Sequence, residues 1–228
     1  YVGETCFNNI SYADDMVLLG PTIGSFRKLV KICEGYAEAH GLQYNSKKSE
    51  LLIFKAGKHQ PKHVPPLCLN GTELKVVDTF RYLGHIVTQA LSDNEDIERE
   101  RRALTVRSNM LARRFARCTK AVKITLFKAY CQSFYSSGLW VRYSKKALNS
   151  FRVQYNNAFR MLLGLPRGCS ASGMFTEART DGFHAIIRKK MASLLQRLRS
   201  SSNSILGAIK NRIGCPIIKH WVAVATVA

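Results

Sequence analysis

Two adjacent aspartates, Asp14 and Asp15, are the residues of this sequence best suited to chemistry. Their carboxylates are hard oxygen ligands of the kind that Mg²⁺ prefers. Magnesium ions held in this way align the attacking and leaving oxygens in phosphoryl and nucleotidyl transfer. Aspartate is also a common turn residue, so the pair by itself is weak support for a metal site. The metal site is favoured because the pair lies between two apolar segments, residues 6–10 and 16–19, in a strongly basic chain.

A second group of metal-ligand residue types is His59, His63 and Cys68. Their spacing is loosely typical of a zinc site, but the segment contains three prolines and no fourth ligand, so a basic loop is the preferred interpretation. The seven cysteines are scattered without a Cys-x-x-Cys pair, which favours reduced thiols in an intracellular protein over a disulfide framework. Because no secretory signal is present, the sequence predicts the nucleus or the cytoplasm rather than secretion.

The charge of the chain is strongly one-sided. Lysine and arginine number 35 against 15 acidic residues, a net charge of +20, and the sequence pI is about 10.0. This excess predicts a polyanionic partner, and nucleic acid is the first candidate. An anionic membrane surface contacted by basic amphipathic helices is a weaker alternative. No stretch is long and apolar enough to span a bilayer, and no membrane partner is predicted.

The first ninety residues show the periodicities of an α+β fold. Apolar residues over 26–37 recur at the spacing of a helix that packs on a sheet. Thr22 or Ser25 is suited to cap the start of this helix, and Gly41 to end it in a left-handed conformation. An Asn-Gly pair at residues 70–71 predicts a tight hairpin. The predicted elements are a hairpin over residues 1–20, a helix over 23–40, and strands over 42–44, 51–54, 67–69, 74–77 and 80–87.

After Ser92 the strand patterns stop and helical patterns continue. Helices are predicted over residues 93–117, 122–143, 146–163 and 183–199, with a linker over 167–173 and little pattern beyond 200. The first of them has a narrow apolar stripe, and arginines occupy its other faces. An exposed charged helix is the common interpretation of such a pattern, but the one-signed excess after Glu100 favours contacts with nucleic-acid phosphates. The predicted phosphate-binding residues are Arg99, Arg101, Arg102, Arg107, Arg113 and Arg114.

The tetrapeptide Tyr12-Ala13-Asp14-Asp15 resembles the Y-x-D-D motif of reverse transcriptases, the RNA-directed DNA polymerases. The order of the following segments strengthens the resemblance. The helix over 23–40 and the segment from Asn45 to Lys48 resemble the next motif of the polymerase palm. The segment Phe80-Arg81-Tyr82-Leu83-Gly84 resembles the primer grip, and the helices up to Gly164 resemble the thumb of non-LTR retrotransposon enzymes. The resemblance covers residues 1–165.

The resemblance implies a role for each matching residue. Asp14 corresponds to the principal metal ligand and Asp15 to the second, while Tyr12 and Ala13 shape the turn near the primer end and the incoming nucleotide. Lys48 corresponds to a lysine that protonates the pyrophosphate leaving group, with an exposed lysine in a polar turn as an equal alternative. The residues that correspond to the primer grip, with an ordinary strand as the alternative, are Phe80, Tyr82, Leu83 and Gly84.

The resemblance therefore implies a partial palm over residues 1–88 and a helical thumb over 89–165. The helical pattern predicts an extension with a poorly defined tail over residues 166–228. It implies Mg²⁺-dependent nucleotidyl transfer onto a primer 3′ end, with an RNA template, a DNA primer and deoxynucleoside triphosphates as partners. The family's third metal-binding carboxylate belongs to an earlier palm strand, expected upstream of Tyr1. The isolated chain is therefore expected not to polymerise. The alternative function is a non-catalytic, basic nucleic-acid-binding remnant.

Overall fold

A computed structural model of the chain describes residues 6–54, 63–212 and 214–226. It confirms the predicted mixture of helices and strands. The strands are β1 (Asn9–Tyr12), β2 (Asp15–Leu18), β3 (Glu50–Leu52), β4 (Cys68–Leu69), β5 (Thr72–Glu73), β6 (Lys75–Val77), β7 (Thr79–Tyr82) and β8 (His85–Thr88). The helices are α1 (Ile23–Ala39), α2 (Asn94–Arg114), α3 (Lys120–Cys131), α4 (Lys145–Leu163), α5 (Ala171–Glu177), α6 (Phe183–Ser200), α7 (Ser204–Lys210) and α8 (Pro216–Thr226).

The chain divides into two compact units. The mixed unit consists of the described residues of Tyr1–Phe80 and Thr88–Ala90, and the helical unit of those of Arg81–Val87 and Leu91–Ala228. The division passes through the β7–β8 hairpin, whose tip belongs to the helical unit.

In the mixed unit, α1 begins and ends as its sequence predicts. The Thr22 hydroxyl accepts the Ser25 backbone N–H at 3.1 Å, and the Ser25 hydroxyl accepts the Thr22 N–H at 3.2 Å, which completes a capping box. Gly41 follows the last turn with a φ of +63°, a conformation that glycine adopts without steric cost. Val30 of α1 packs in a small core that also contains Leu67, Leu69 and Leu74.

The strand predictions for this unit are confirmed in part. Asn70 and Gly71 both have positive φ, +49° and +73°, as a two-residue β4–β5 hairpin requires. The strand predicted over residues 42–44 is wrong, because no strand forms there. The strand predicted over 51–54 is Glu50–Leu52, and it pairs in parallel with β6.

The single strand predicted over residues 80–87 is also wrong. Leu83 and Gly84 have φ values of +46° and +82°, so the chain reverses there and forms the β7–β8 hairpin. Left-handed conformation at both central residues matches the twist of a two-residue hairpin turn. The apolar run hid this reversal, because Leu-Gly is a less usual turn pair than Asn-Gly.

The helical unit has a core in which apolar stripes predicted from the sequence meet. Ile97, Leu104 and Leu111 of α2 are fully buried, and α2 packs against α4. Aromatic rings fill the centre, with the Phe127 and Phe159 centroids 4.9 Å apart in an edge-to-face arrangement. Helices α2, α4 and α6 begin and end close to their predicted boundaries. The other buried aromatic residues of this core are Phe134, Trp140, Phe151, Tyr155, Phe175, Phe183 and Trp221.

The helix predicted over residues 122–143 is wrong beyond Cys131. Phe134 and Ser136 have positive φ, and a short 3₁₀ turn, Ser137–Leu139, follows. The segment does not continue the helix because its hydrogen-bond donors bind the carboxylates of Asp96 in α2 and of Asp93 at the start of α2. Asp93 Oδ2 accepts the backbone N–H groups of Val141 and Arg142, both at 2.7 Å. The aromatic residues between 127 and 140 recur at helical spacing, which is why the sequence predicted one continuous helix.

Three helices lie where the sequence predicted none. Helix α5 occupies part of the predicted linker, and α7 and α8 occupy the weakly patterned stretch beyond 200. Helix α8 packs against α6, and its Trp221 is buried and donates its Nε1–H to the carbonyl of Gly138 at 2.5 Å. The weak pattern beyond residue 200 therefore concealed a helix that belongs to the core of the helical unit.

Candidate functional site

The tip of the β1–β2 hairpin presents the two aspartates. Tyr12 and Asp15 form the last pair of the antiparallel ladder, so Ala13 and Asp14 make a two-residue turn. Both carboxylates are exposed, and neither has a hydrogen bond or an ion pair with another described residue. Tyr12 is 64% exposed beside them. The hairpin therefore leaves two adjacent oxygen ligands and one aromatic ring open to a cation or a nucleotide.

The backbone at this tip is strained at one residue. Ala13 has a φ of +52°, a left-handed conformation that costs an L-residue about 1–2 kcal/mol. The paired strands hold it there, because primed turns match the twist of a hairpin. Glycine would adopt this conformation freely, so the choice of alanine retains strain at the place where the carboxylates are presented. Strain of this kind often accompanies functional sites.

These aspartates match the chemistry of Mg²⁺, but as an incomplete ligand set. Over residues 6–54, 63–212 and 214–226, no three His, Cys, Asp or Glu side chains are grouped to hold a metal. Asp14 and Asp15 would thus hold a magnesium ion together with ligands from outside this set. Of the residues considered for zinc, His59 lies outside the described part, and His63 and Cys68 belong to no such group.

Lys48 lies in the predicted polar turn. Its backbone N–H donates to the carbonyl and to the side-chain oxygen of Asn45, at 3.1 and 3.2 Å. The side chain is exposed, and no hydrogen bond or ion pair joins it to another described residue. The structure thus leaves the Lys48 ammonium free for a phosphate but does not bring it into contact with the aspartates.

The residues of the predicted primer grip divide between the two units. Phe80 lies in the mixed unit, whereas Tyr82, Leu83 and Gly84 lie in the helical unit. Phe80 and Tyr82 are half-buried, and Leu83 at the turn is 41% exposed. The phenol of Tyr135 donates a hydrogen bond to the Leu83 carbonyl at 2.7 Å. The turn is therefore attached to the helical unit by a direct contact.

Gly84 is required at this turn for two reasons. Its φ is +82°, and a Cβ built on it would lie 3.0 Å from Cε1 of Tyr135. We expect Gly84→Ala to lower the free energy of unfolding of the helical unit by about 1–2 kcal/mol, measured by chemical denaturation. Gly164→Ala is the matched control, because Gly164 has a φ of +67° with nothing within 4 Å of its Cβ position. Equal losses in the two variants would show that the Tyr135 contact contributes nothing.

A buried carboxylate that the sequence did not identify organises the surroundings of this turn. Asp96 of α2 has no exposed surface, and its two oxygens accept five hydrogen bonds. Asp96 lies in the first turn of α2, where the helix dipole also favours an anion. The donors are His85 Nδ1 at 3.0 Å, the Ile86 backbone N–H at 3.0 Å, Arg99 Nε at 2.7 Å, Ser136 Oγ at 2.6 Å and Trp140 Nε1 at 2.7 Å.

The pKa of Asp96 reflects these contacts. Burial alone would raise the pKa of this carboxyl, but the hydrogen bonds from His85, Arg99, Ser136 and Trp140 outweigh it and hold the pKa well below its usual range. Hydrogen bonds donated to a carboxylate stabilise its charged form. Asp96 is therefore an anion in the folded protein, and the donors around it depend on that charge.

The arginines predicted to bind phosphate fall into three groups. Arg99 and Arg107 bind buried carboxylates, with Arg107 at 2.6 Å from Glu100. Arg101 and Arg102 share Glu98, at 2.6 and 2.9 Å, and the pKa of Glu98 is lowered to about 2, chiefly by the hydrogen bond from Arg101. The third group is exposed and has no ion pair with another described residue. It consists of Arg113 and Arg114, and Arg117, which was not among the predicted residues, is exposed in the same way.

The positive charge of the protein is concentrated after the second turn of α2. Residues 101–228 contain 24 lysines and arginines against two acids, Glu177 and Asp181, a net charge of +22. Residues 1–100 contain 11 basic and 13 acidic residues, a net charge of −2. The helical unit therefore carries the attraction for a polyanion. None of the helices in the described ranges is long and apolar enough to cross a membrane.

The chain matches no protein-family model, no curated protein and no solved structure. Its function is therefore inferred from the residues themselves. The two features that bear on it are the exposed carboxylates of the β1–β2 hairpin and the basic surface of the helical unit.

Proposed function

We propose that this chain supplies the catalytic hairpin, the primer-grip turn and the thumb of an RNA-directed DNA polymerase similar to those of non-LTR retrotransposons. The observation that carries the proposal is the two-residue turn that leaves Asp14 and Asp15 adjacent, exposed and unpaired with any other described residue. The net charge of +22 over residues 101–228 supports the proposal, because a template–primer duplex is a polyanion.

Each group has a defined task under this proposal. Asp14 and Asp15 provide oxygen ligands for Mg²⁺, which when bound stabilises the charge that develops on the transferred phosphate. The exposed ring of Tyr12 offers a stacking surface for a base. Lys48 provides an ammonium that is able to protonate a leaving pyrophosphate. The thumb contacts the phosphates of template and primer through Arg113, Arg114 and Arg117, which are exposed and form no ion pair with another described residue.

Recognition of a primer end distinguishes this function from general binding of nucleic acid. We expect the chain to bind an RNA–DNA duplex with a recessed DNA 3′ end about fivefold to tenfold more tightly than a blunt duplex of equal length and charge. Fluorescence anisotropy at fixed salt measures both affinities. Equal affinities for the two duplexes would contradict the polymerase proposal and leave a non-specific binder.

The isolated chain is expected not to extend a primer. Two-metal catalysis needs more carboxylates than the hairpin provides, and no group of three metal-ligand side chains exists among the described residues. An extension assay with primer–template, Mg²⁺ and deoxynucleoside triphosphates should yield no product at protein concentrations that saturate the duplex. Product that depends on Mg²⁺ and disappears in Asp14→Asn would show that this chain completes the site itself.

The second candidate function is a non-catalytic nucleic-acid-binding protein. The charge distribution favours it as well, because the helical unit attracts polyanions whether or not the hairpin binds a metal. It predicts strongly salt-dependent binding with no preference for a recessed end. It also predicts that Asp14→Asn leaves every measured binding property unchanged, whereas the polymerase predicts weaker Mg²⁺-dependent binding of a nucleotide.

A further inference from the structure

Three parts of the helical unit meet on the single carboxylate of Asp96. The tip of the β7–β8 hairpin contributes the side chain of His85 and the backbone N–H of Ile86. The segment that interrupts the predicted second helix contributes Ser136 and Trp140. Helix α2 itself contributes Arg99 one turn later. Two of the five donors thus come from the strand that directly follows the Leu83–Gly84 turn.

A second chain of contacts leads from Asp96 to the turn. Ser136 has a φ of +63°, and its hydroxyl donates to Asp96 at 2.6 Å and accepts from Arg99 Nη2 at 3.0 Å. This arrangement fixes the neighbouring residue Tyr135, whose phenol donates to the Leu83 carbonyl and whose ring lies against Gly84. The turn is therefore held from both ends, on one side through His85 and on the other through Tyr135.

The need to pair buried polar groups does not explain why three segments bind one carboxylate. A buried carboxylate is costly to desolvate, and apolar residues of similar volume are often as stable as a buried ion pair. The retained charge instead gives a single geometry, since five donors with fixed directions define where each contributing segment lies. The turn itself is accessible to a ligand, since Leu83 is 41% exposed.

We infer that Asp96 is a positioning residue that fixes the Leu83–Gly84 turn for contact with the primer terminus. The inference rests on the proposed polymerase function for its consequence, but the hold on the turn is a property of this chain alone. Asp96 itself is buried and touches no substrate. It acts through His85, Ile86 and Ser136, so its loss alters the turn before it alters the charged surface of the thumb.

Asp96→Asn tests this inference, because it keeps the size of the side chain and removes the charge. Asp181→Asn is the matched control, since Asp181 is an acid of the same unit that pairs with Lys189 at the surface. In Asp96→Asn, we expect the hydrogen-exchange protection of the Ile86 amide to fall at least about tenfold, while that of α4 changes little. We expect the recessed-end preference to fall to about one, with the blunt-duplex affinity within about twofold of wild type, because Arg113 and Arg114 are unaltered.

His85→Ala removes the side-chain link from the opposite partner and leaves four donors on Asp96, so it serves if Asp96→Asn does not fold. It should show the same selective loss at the turn. Unchanged Ile86 exchange and an unchanged recessed-end preference in these variants would overturn the inference. A wild-type chain without recessed-end preference would instead contradict the proposed function, and the exchange measurement would still decide whether Asp96 fixes the turn.

Discussion

Replacing Asp96 by alanine is expected to lower the free energy of unfolding of the helical unit by about 3–5 kcal/mol, the largest loss for any single substitution considered in this protein. The variant leaves the Arg99 guanidinium without its closest partner and the indole N–H of Trp140 buried without an acceptor. A buried donor that loses its acceptor costs its full desolvation energy. Chemical denaturation followed by circular dichroism measures the difference.

The control for this prediction is Asp181→Ala. Asp181 pairs with Lys189 at 2.7 Å, but the lysine side chain is 70% exposed. Such a surface pair contributes about 0–1 kcal/mol. A loss in Asp96→Ala no larger than that in Asp181→Ala would contradict the assignment of Asp96 as the centre of the network.

The pH dependence of the same variant gives an independent check. Burial raises the pKa of Asp96, but its hydrogen bonds outweigh burial and lower the pKa in the folded protein. The contribution of the Asp96 charge to stability is therefore fully present above its unfolded pKa of about 3.9. The contribution is lost as the pH falls below that value towards the folded pKa. The stability difference between wild type and Asp96→Ala should therefore narrow on acidification below about pH 4.

Neutralising Arg113 and Arg114 together by glutamine is expected to have the largest effect on binding. Both side chains are exposed and without an ion-pair partner among the described residues. If each contacts one phosphate, the slope of log affinity against log salt should become shallower by about 1.8 on a B-form duplex. The affinity near 0.1 M salt should fall on the order of tenfold or more.

Arg101→Gln combined with Arg102→Gln is the matched control on the same helix. It removes the same number of charges, but both side chains already bind Glu98. Since Glu98 already offsets one of these two charges, we expect a smaller change in slope than for Arg113 and Arg114. Equal changes in the two double variants would show that binding follows total charge, with no special role for the unpaired arginines.

Local sequence rules predicted much of the fold. Capping residues such as Thr22 and Gly41 act on their own helix, and the Asn70-Gly71 pair acts on its own turn. Their effects can therefore be predicted from neighbouring residues alone. The apolar stripes of α2, α4 and α6 can likewise be recognised from the spacing of residues within each helix. The same reasoning placed Asp14 and Asp15 at a hairpin tip, which the structure confirms.

Features that depend on distant partners were missed. Asp96 and Trp140 are 44 residues apart, so neither the role of this aspartate nor the end of α3 at Cys131 could be seen from neighbouring residues. The Leu83–Gly84 reversal depends in the same way on Tyr135. Unlike these, the unpaired state of Arg113 and Arg114 follows from the acids of α2 all lying before them. That signal was present in the sequence.

Photochemical cross-linking of a template–primer to the chain tests the central claim most directly. The primer carries a photoreactive group on its 3′-terminal nucleotide, and the cross-linked peptide is identified by mass spectrometry. If the chain acts on a primer terminus, cross-links fall on residues 12–15 and on the Leu83–Gly84 turn. Asp14→Asn combined with Asp15→Asn removes those on residues 12–15 while salt-dependent binding remains. Cross-links confined to the basic surface around residues 113–117 would contradict the polymerase and identify the chain as a nucleic-acid-binding protein.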